Sequence, residues 1–488
     1  MLHSSDRSSD TRPDLEAIIK AALSGTLSEE QATQLYSFGP EIVKFVLIAI
    51  SKGCAELHEQ VHQAKAKEDA LHNTTGPSTP SGQKPIYTKQ TTSGRRKKRG
   101  AKQGHQAHHR KKSDVNKRKT HRLNKCPICG GPLKKGQRIR TRIIEDIQKD
   151  IQPEVTEHTI HGDYCSTCKK YMEPIVEDAM PNTPLGHRLV CFSAWLHYGL
   201  GITISHIISI LSFCLHFPIS AGGLIAQWKR LAEVLYTWYE QIGQEALQSA
   251  ILFADETGWR VLGKTYWLWC FANGTTCYYM IDRSRGSPAL EKFFTTVFEG
   301  TLVTDFWAAY NTVCVAFRQM CQAHLLREIE KVTCKNQSDA WKRFAKKLGR
   351  LIRDAIRLRK REDFSPAKYR RRIERIYHRL DVLAESDYED ADVKRLAKRL
   401  CKYREHLFRF LEDPTIPFDN NFAERMIRPA VILRKNSQCN HSERGAAIQA
   451  ILMSVYRTLK LRGHDPITTL VKALRVYVKT GVLPSLPP

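Results

Sequence analysis

The 488-residue chain contains no long apolar run. Its nearest approach, FVLIAI at 45–50, is far short of the roughly 20 residues a membrane-spanning helix requires. The opening MLHSSDRSSDTRPD lacks the basic and apolar regions of a secretory signal. Fourteen cysteines are present, but most stand singly, a usage that fits a reducing cytoplasm rather than a disulfide scaffold. Sustained leucine heptads are missing from the first helices, which weakens a coiled-coil reading. Acid is outnumbered by base. Lys and Arg number 77 against 50 Asp and Glu, a net charge of +27. Residues 94–125 set fourteen Lys/Arg against Asp114 alone, and 341–380 set sixteen against four acids. Such blocks repel themselves and imply a polyanionic partner. No amphipathic apolar face accompanies the first block, so double-stranded DNA is expected and a membrane is not.

What is present divides the chain. Residues 1–71 read as an N-terminal helical region, broken between 12–36 and 40–72. A Pro/Gly/Ser/Thr-rich linker follows at 72–93. The basic arm, 94–125, is the first candidate DNA-binding segment, with Arg95, Arg96, Lys97, Lys98, Arg99, Lys111 and Lys112 as phosphate contacts. CPICGG at 126–131 and CSTC at 165–168 are paired knuckles. Each fixes two thiolates on a tight turn, so Cys126, Cys129, Cys165 and Cys168 predict a structural, closed zinc site in a ribbon-like domain at 126–170. A helical domain is expected at 171–245. In it, His197 reads as a satisfied core residue.

At 250 the pattern changes to AILFADETGW, then TYWLWCFAN and TCYYMIDRS around Asn273-Gly274, a hairpin signal. A helical stretch and GTLVTDFWAAY follow. The order strand–strand–strand–helix–strand is that of a ribonuclease-H-like core, expected at 246–334 and 413–460 with a basic helical insertion at 335–412 and a helical tail at 461–488. In that arrangement the first and fourth strands are neighbours, which brings Asp255 and Asp305 together, and a later helix adds Glu424. Clustered carboxylates suit magnesium or manganese, which take hard oxygen ligands. Glu256 is an alternative to Asp255, but strand alternation sends the two to opposite faces. Asp419 stands in reserve for Glu424. Asn421 and Glu424 also read as a capping box. Trp307 and Tyr310 are candidates for stacking on a base, Arg425 and Arg428 for gripping phosphates, and Cys321 with His324 for support beside the site. Each has a plain structural reading as core packing or surface ion pairing.

CPICGG with CSTC, ADETGW, VTDFWAAY, CQAHLLRE, DNNFAERMIRP and SVYRTLKLRGHDPITTL together resemble the insertion-sequence-66 family of bacterial DDE transposases, over about residues 40–480. The resemblance implies a multidomain α+β protein with a zinc-binding N-terminal region and a ribonuclease-H-like catalytic core. It also implies Asp255, Asp305 and Glu424 as the metal-binding triad of a transposase. Such an enzyme binds the terminal inverted repeats of its element, cleaves, and transfers strands in the nucleoid. A homodimer on paired ends and accessory proteins of the same element are the further partners it suggests. A regulatory or inactive DNA-binding protein and a structure-selective nuclease of the same fold are the alternatives. The N-terminal helix here has fewer heptad leucines than the family commonly shows, and KRGAKQGHQAHHRKK replaces its Gly-Pro-rich lead-in.

Overall fold

The computed structural model describes Ile18, residues 28–44, 46–48 and 50, scattered positions between 115 and 144, and 151–488 except Glu362 and Gln438. Two compact units are distinguished, Met1–Lys84 and Pro85–Pro488. In the first, α1 spans Glu29–Ser37. Ser28 Oγ accepts from the Gln31 N–H, and the Gln31 side chain accepts from the Ser28 N–H, which satisfies two otherwise orphaned donors at the helix start. Gly39, at φ +98°, interrupts the helical backbone at the break the sequence predicts. Leu35 is buried with Ile18 and Val46. The linker and the arm residues Arg95–Arg99, Lys111 and Lys112 lie outside the described residues.

The second unit begins with a small antiparallel pair, β1 (Asp163–Cys165) and β2 (Lys170–Met172). Three helices follow: α2 (His187–Ala194), α3 (Ile204–Ser209) and α4 (Ala221–Leu247). Leu224, Trp228, Leu231, Leu235, Trp238, Ile242 and Ala246 repeat at three and four residues along α4, and all are buried. That stripe is what makes the segment helical and tells it which way to face. Each large member contributes about 1.5–3 kcal/mol by leaving water. His197 stacks on Trp228, with ring centroids 5.2 Å apart, and its Nδ1 lies 2.7 Å from the Ile202 carbonyl. It is the satisfied core histidine the sequence implies.

The sheet comprises β3 (Ile251–Val261), β4 (Lys264–Ala272), β5 (Cys277–Asp282), β6 (Phe298–Thr304) and β7 (Val315–Met320), in the order β5-β4-β3-β6-β7. The first three strands are antiparallel neighbours, while β3–β6 and β6–β7 are parallel. β3 turns into β4 through Leu262 and Gly263, both at positive φ (52° and 73°), as a tight two-residue hairpin demands. At the second hairpin the Asn273 side chain accepts from the N–H groups of Thr275 and Thr276, so the Asn supplies the turn. Helix α5 (Ser287–Phe293) crosses from β5 to β6. The pattern reading ends at four strands; the fifth, β7, has the mixed burial of an edge and no clean alternation.

After β7 come α6 (Gln322–Thr333), then the basic insertion with α7 (Asp339–Arg359), α8 (Pro366–Glu385) and α9 (Ala391–Lys402). Trp341, Phe344, Leu348, Ile352, Leu380 and Leu396 form its own buried cluster, continuous with Leu325 and Ile329 of α6. The chain returns as α10 (Asn421–Ser437), α11 (Glu443–Leu461) and α12 (Pro466–Thr480). Helices α4, α10 and α11 cover one face of the sheet, and α5 with Tyr310 covers the other. β5 is an edge strand, yet its Cys277 and Tyr279 N–H groups donate to Thr458 Oγ1 (3.1 Å) and Ser454 Oγ (2.9 Å) of α11. No helix among the described residues is long and apolar enough to cross a membrane.

Candidate active site

The register of β3 and β6 decides where the acids fall. Ile251 pairs with Thr301, Leu252 with Leu302 and Phe253 with Val303, a constant offset of fifty. Carried two residues further, the same offset sets Asp255 across from Asp305, just past the end of β6. Residues in register on parallel strands point to the same side. A third element closes the edge. Asn420, fully buried, donates from Nδ2 to the Ala254 carbonyl at 2.8 Å and from its backbone N–H to Cys321 Sγ at 3.1 Å. It therefore ties the start of α10 both to the strand carrying Asp255 and to the start of α6.

The helix start is not capped as the sequence implies. Asp419 Oδ1 accepts from the Asn421 N–H (3.2 Å), and Asp419 Oδ2 accepts from Asn421 Nδ2 (2.7 Å). The cap assigned to Glu424 is thus supplied by Asp419. Glu424 lies one turn into α10, with Oε1 at 3.1 Å from Arg327 and 3.7 Å from His324 Nε2. Burial and the neighbouring Arg327 charge push His324 down to about 3, so it is neutral and its approach to Glu424 is not an ion pair. Its Nδ1 is buried with no hydrogen-bond partner, as are Asn420 Oδ1 and Asn421 Oδ1.

The electrostatics are those of crowded acids. Asp255 is raised well above the usual carboxylate range by burial first, then by Glu256, Asp305 and Glu424. Asp305 is raised by burial, opposed by the Trp307 N–H and by Arg285, Arg327 and Arg399. Asp419 is raised by burial. Asp255 feels the charges of Asp305 and Glu424, yet among the described residues no group of three or more His, Cys, Asp or Glu is drawn close enough to hold a metal ion. A set of half-buried carboxylate oxygens is nevertheless what a hard divalent cation fits.

Glu256 belongs to a different network. Its Oε1 accepts from Arg285 Nη2 (3.0 Å) and its Oε2 from Tyr310 Oη (2.7 Å). Arg285 is in turn sandwiched over Trp267 (4.4 Å to the ring centroid) and Trp307 (3.9 Å). The two adjacent acids therefore face different partners, as strand alternation requires. Tyr310 is buried and spoken for, so it is not a stacking platform; Trp307, 36% exposed, covers Arg285. Cys321 is buried, its thiol pushed up to about 12 by burial, and acts as a hydrogen-bond pin rather than a thiolate ligand. Arg425 and Arg428 are exposed on α10 and make no ion pair with a described residue. Sequence reasoning missed Asn420 and Arg327. The first hides beside the capping residues; the second stands one helical turn after His324, a spacing that does signal a shared face.

Of the four cysteines expected to bind zinc, Cys129, Cys165 and Cys168 carry free thiols, and Cys126 lies outside the described residues. Each described knuckle sits on a turn between antiparallel partners: β1 with β2, and a bridge of Lys125 with Pro132. Cys165 Sγ accepts from the Cys168 N–H at 3.4 Å, and such donors hold its thiol below its ordinary range.

A family model described as "Transposase IS66 family" matches residues 182–448, more than half of the chain. The chain is also 29% identical over 282 residues to an uncharacterized protein, y4qI, of Sinorhizobium fredii (strain NBRC 101917 / NGR234), covering 51% of this chain and 52% of the relative. It is 26% identical over 217 residues to a second uncharacterized protein of that strain, y4jD, covering 41% and 42%. The chain thus matches about half the length, or less, of these curated relatives.

Proposed function

The chain belongs to the IS66 transposase family, and from that premise we propose that it is a DDE transposase with Asp255, Asp305 and Glu424 as its metal-binding carboxylates. The sheet is read as a ribonuclease-H-like core interrupted by the helical insertion. The observation that carries this reading is the constant register that sets Asp255 across from Asp305, with Asn420 fastening the Glu424 helix to the same strand. The substrate is the terminal inverted repeats of an insertion sequence, followed by target DNA, and the products are cleaved ends joined by strand transfer. Double-stranded DNA, a second copy of the chain on the paired end and accessory proteins of the element are its proposed partners, and the bacterial nucleoid its place of action.

Magnesium or manganese, when bound by the three carboxylates, lowers the pKa of the attacking water or 3′-hydroxyl and neutralises charge on the phosphodiester. The protein's own groups do the rest. Asp255 and Asp305 come from a rigid sheet edge, which keeps them in a fixed relation. Arg327 holds Glu424 by a charge-assisted bond at 3.1 Å, which orients the carboxylate. Neutral His324, whose Nε2 lies 3.7 Å from Glu424 Oε1, is suited to orienting that carboxylate or a phosphate. Arg425 and Arg428, exposed on the same helix, suit phosphate oxygens. Cys126, Cys129, Cys165 and Cys168 are proposed to hold one structural zinc, and the arm with Arg95–Arg99, Lys111 and Lys112 to hold DNA phosphates.

Glu424→Gln tests the triad. Because Asp419 makes the helix cap, the substitution leaves the fold intact. Cleavage and strand transfer on an end-containing duplex should fall by several orders of magnitude, while end binding and zinc content stay unchanged. Undiminished cleavage would remove Glu424 from the mechanism. Cleavage without any joined product in the parent protein would favour the nuclease reading.

A further inference from the structure

The basic insertion carries charge that the catalytic reading does not use. Along α7, Lys342, Lys346 and Arg350 succeed one another at four-residue intervals, and all are exposed. On α8, Arg371, Arg372 and Arg375 form a second exposed row. The two helices pack together through the buried cluster that includes Leu348, Ile352 and Leu380. A single carboxylate, Asp354, lies at their junction and meets Arg379 of α8 at 2.9 Å, with Arg357 at 3.3 Å and Arg350 at 3.8 Å of its own helix. That one acid fixes the two rows side by side. Lys342, Lys346, Arg371, Arg372 and Arg375 make no ion pair with any described residue. So many unneutralised cations lower the stability of the hairpin by self-repulsion.

We propose that this exposed face of the α7–α8 hairpin is a duplex-DNA surface, separate from the basic arm, that grips phosphates without reading sequence. Spacing and composition identify the occupant. From Lys342 to Arg350 the row runs about 12 Å, roughly three to four phosphates of one strand. No apolar side chain interrupts the α7 row for a membrane to take up. Lys342, Arg343, Lys346, Lys347 and Arg350 are its exposed members between 342 and 350. No aromatic ring stands among them to stack an unpaired base. Helix α6, which bears His324 and Arg327, shares a core with the hairpin, so the surface is built onto the element that braces Glu424. The inference rests on the reading that the chain works on DNA, but not on which carboxylates cut it.

The test replaces Lys342, Lys346, Arg372 and Arg375 with Gln in the full chain. Binding to a random-sequence duplex is then followed by anisotropy as a function of salt. The arm is intact in both proteins, so the difference between them isolates the hairpin. Loss of four phosphate contacts should make the slope of log K against log salt shallower by about 3–4, with weaker binding at low salt. Thermal unfolding should be unchanged or shifted upward, because repulsion is relieved. An unchanged salt slope overturns the proposal. So does a loss confined to single-stranded DNA or to vesicles containing phosphatidylserine, with duplex binding retained. Glu424→Gln should keep the parental slope. Strand transfer undiminished in Glu424→Gln, together with a normal hairpin contribution, would count against the triad alone.

Discussion

Asp255→Asn should stabilise the metal-free protein, and should do so more as pH rises. Asp255 is raised well above its ordinary value by burial and by three neighbouring acids. A carboxyl whose folded pKa is raised contributes stability that is fully present below its unfolded pKa, about 3.9. That contribution fades as pH climbs toward the folded value, because only the unfolded chain ionises freely. At strand spacing of about 4.8 Å, the repulsion between Asp255 and Asp305 is about 3 kcal/mol at an effective dielectric constant of about 20. Protonation of Asp255 caps the penalty near 4 kcal/mol at neutral pH. Asparagine removes the charge while its Oδ1 still accepts from the Glu256 N–H, which Asp255 now does at 3.0 Å. A net gain of about 1–3 kcal/mol should raise Tm by roughly 1–4 °C in chelator near pH 7.5. Near pH 4 parent and variant should unfold together. Using the difference between them removes the opposite trend from surface acids such as Asp381 and Asp390, held below their usual range by Arg404 and Ser338. Added magnesium should raise the parent's Tm and move the variant's much less. A variant no more stable than the parent at neutral pH, or a difference that stays flat with pH, would refute the crowded-acid account.

Two further outcomes concern the scaffold. Trp341→Ala should cost about 3–5 kcal/mol, because the ring is fully buried in the insertion core and its Nε1 donates to Thr333 Oγ1 at 3.0 Å; limited proteolysis should open the insertion before the sheet. Ser454→Ala should cost about 1–3 kcal/mol, since it strips the acceptor from the buried Tyr279 N–H, and denaturant unfolding should report it. Ser454→Thr, which retains the hydroxyl, should recover part of that loss.

Much of this architecture was legible from local chemistry. The strand order, the Asn273 hairpin and the core role of His197 follow from alternation, turn residues and an apolar surround. The helical character of 185–245 follows from the α4 stripe. Less legible was anything decided across the chain. Whether Glu424 caps its own helix or meets Arg327 depends on a residue ninety-seven positions away. That Asp419 takes over the cap depends on how Asn420 is anchored to Ala254. β7 escaped because an edge strand followed directly by a helix gives a weak periodic signal. Tyr310 looked available for stacking only because nothing near it in sequence announces Glu256 as its partner.

The two hydroxyls that α11 sets against β5 have a consequence for assembly. With the Cys277 and Tyr279 donors occupied by Thr458 and Ser454, that margin of the sheet offers no free ladder on which another chain could continue the sheet. Were copies of this protein brought together on DNA, as proposed above, they would have to recognise one another at this margin through side chains or through the nucleic acid itself. The backbone there is already closed to a shared sheet.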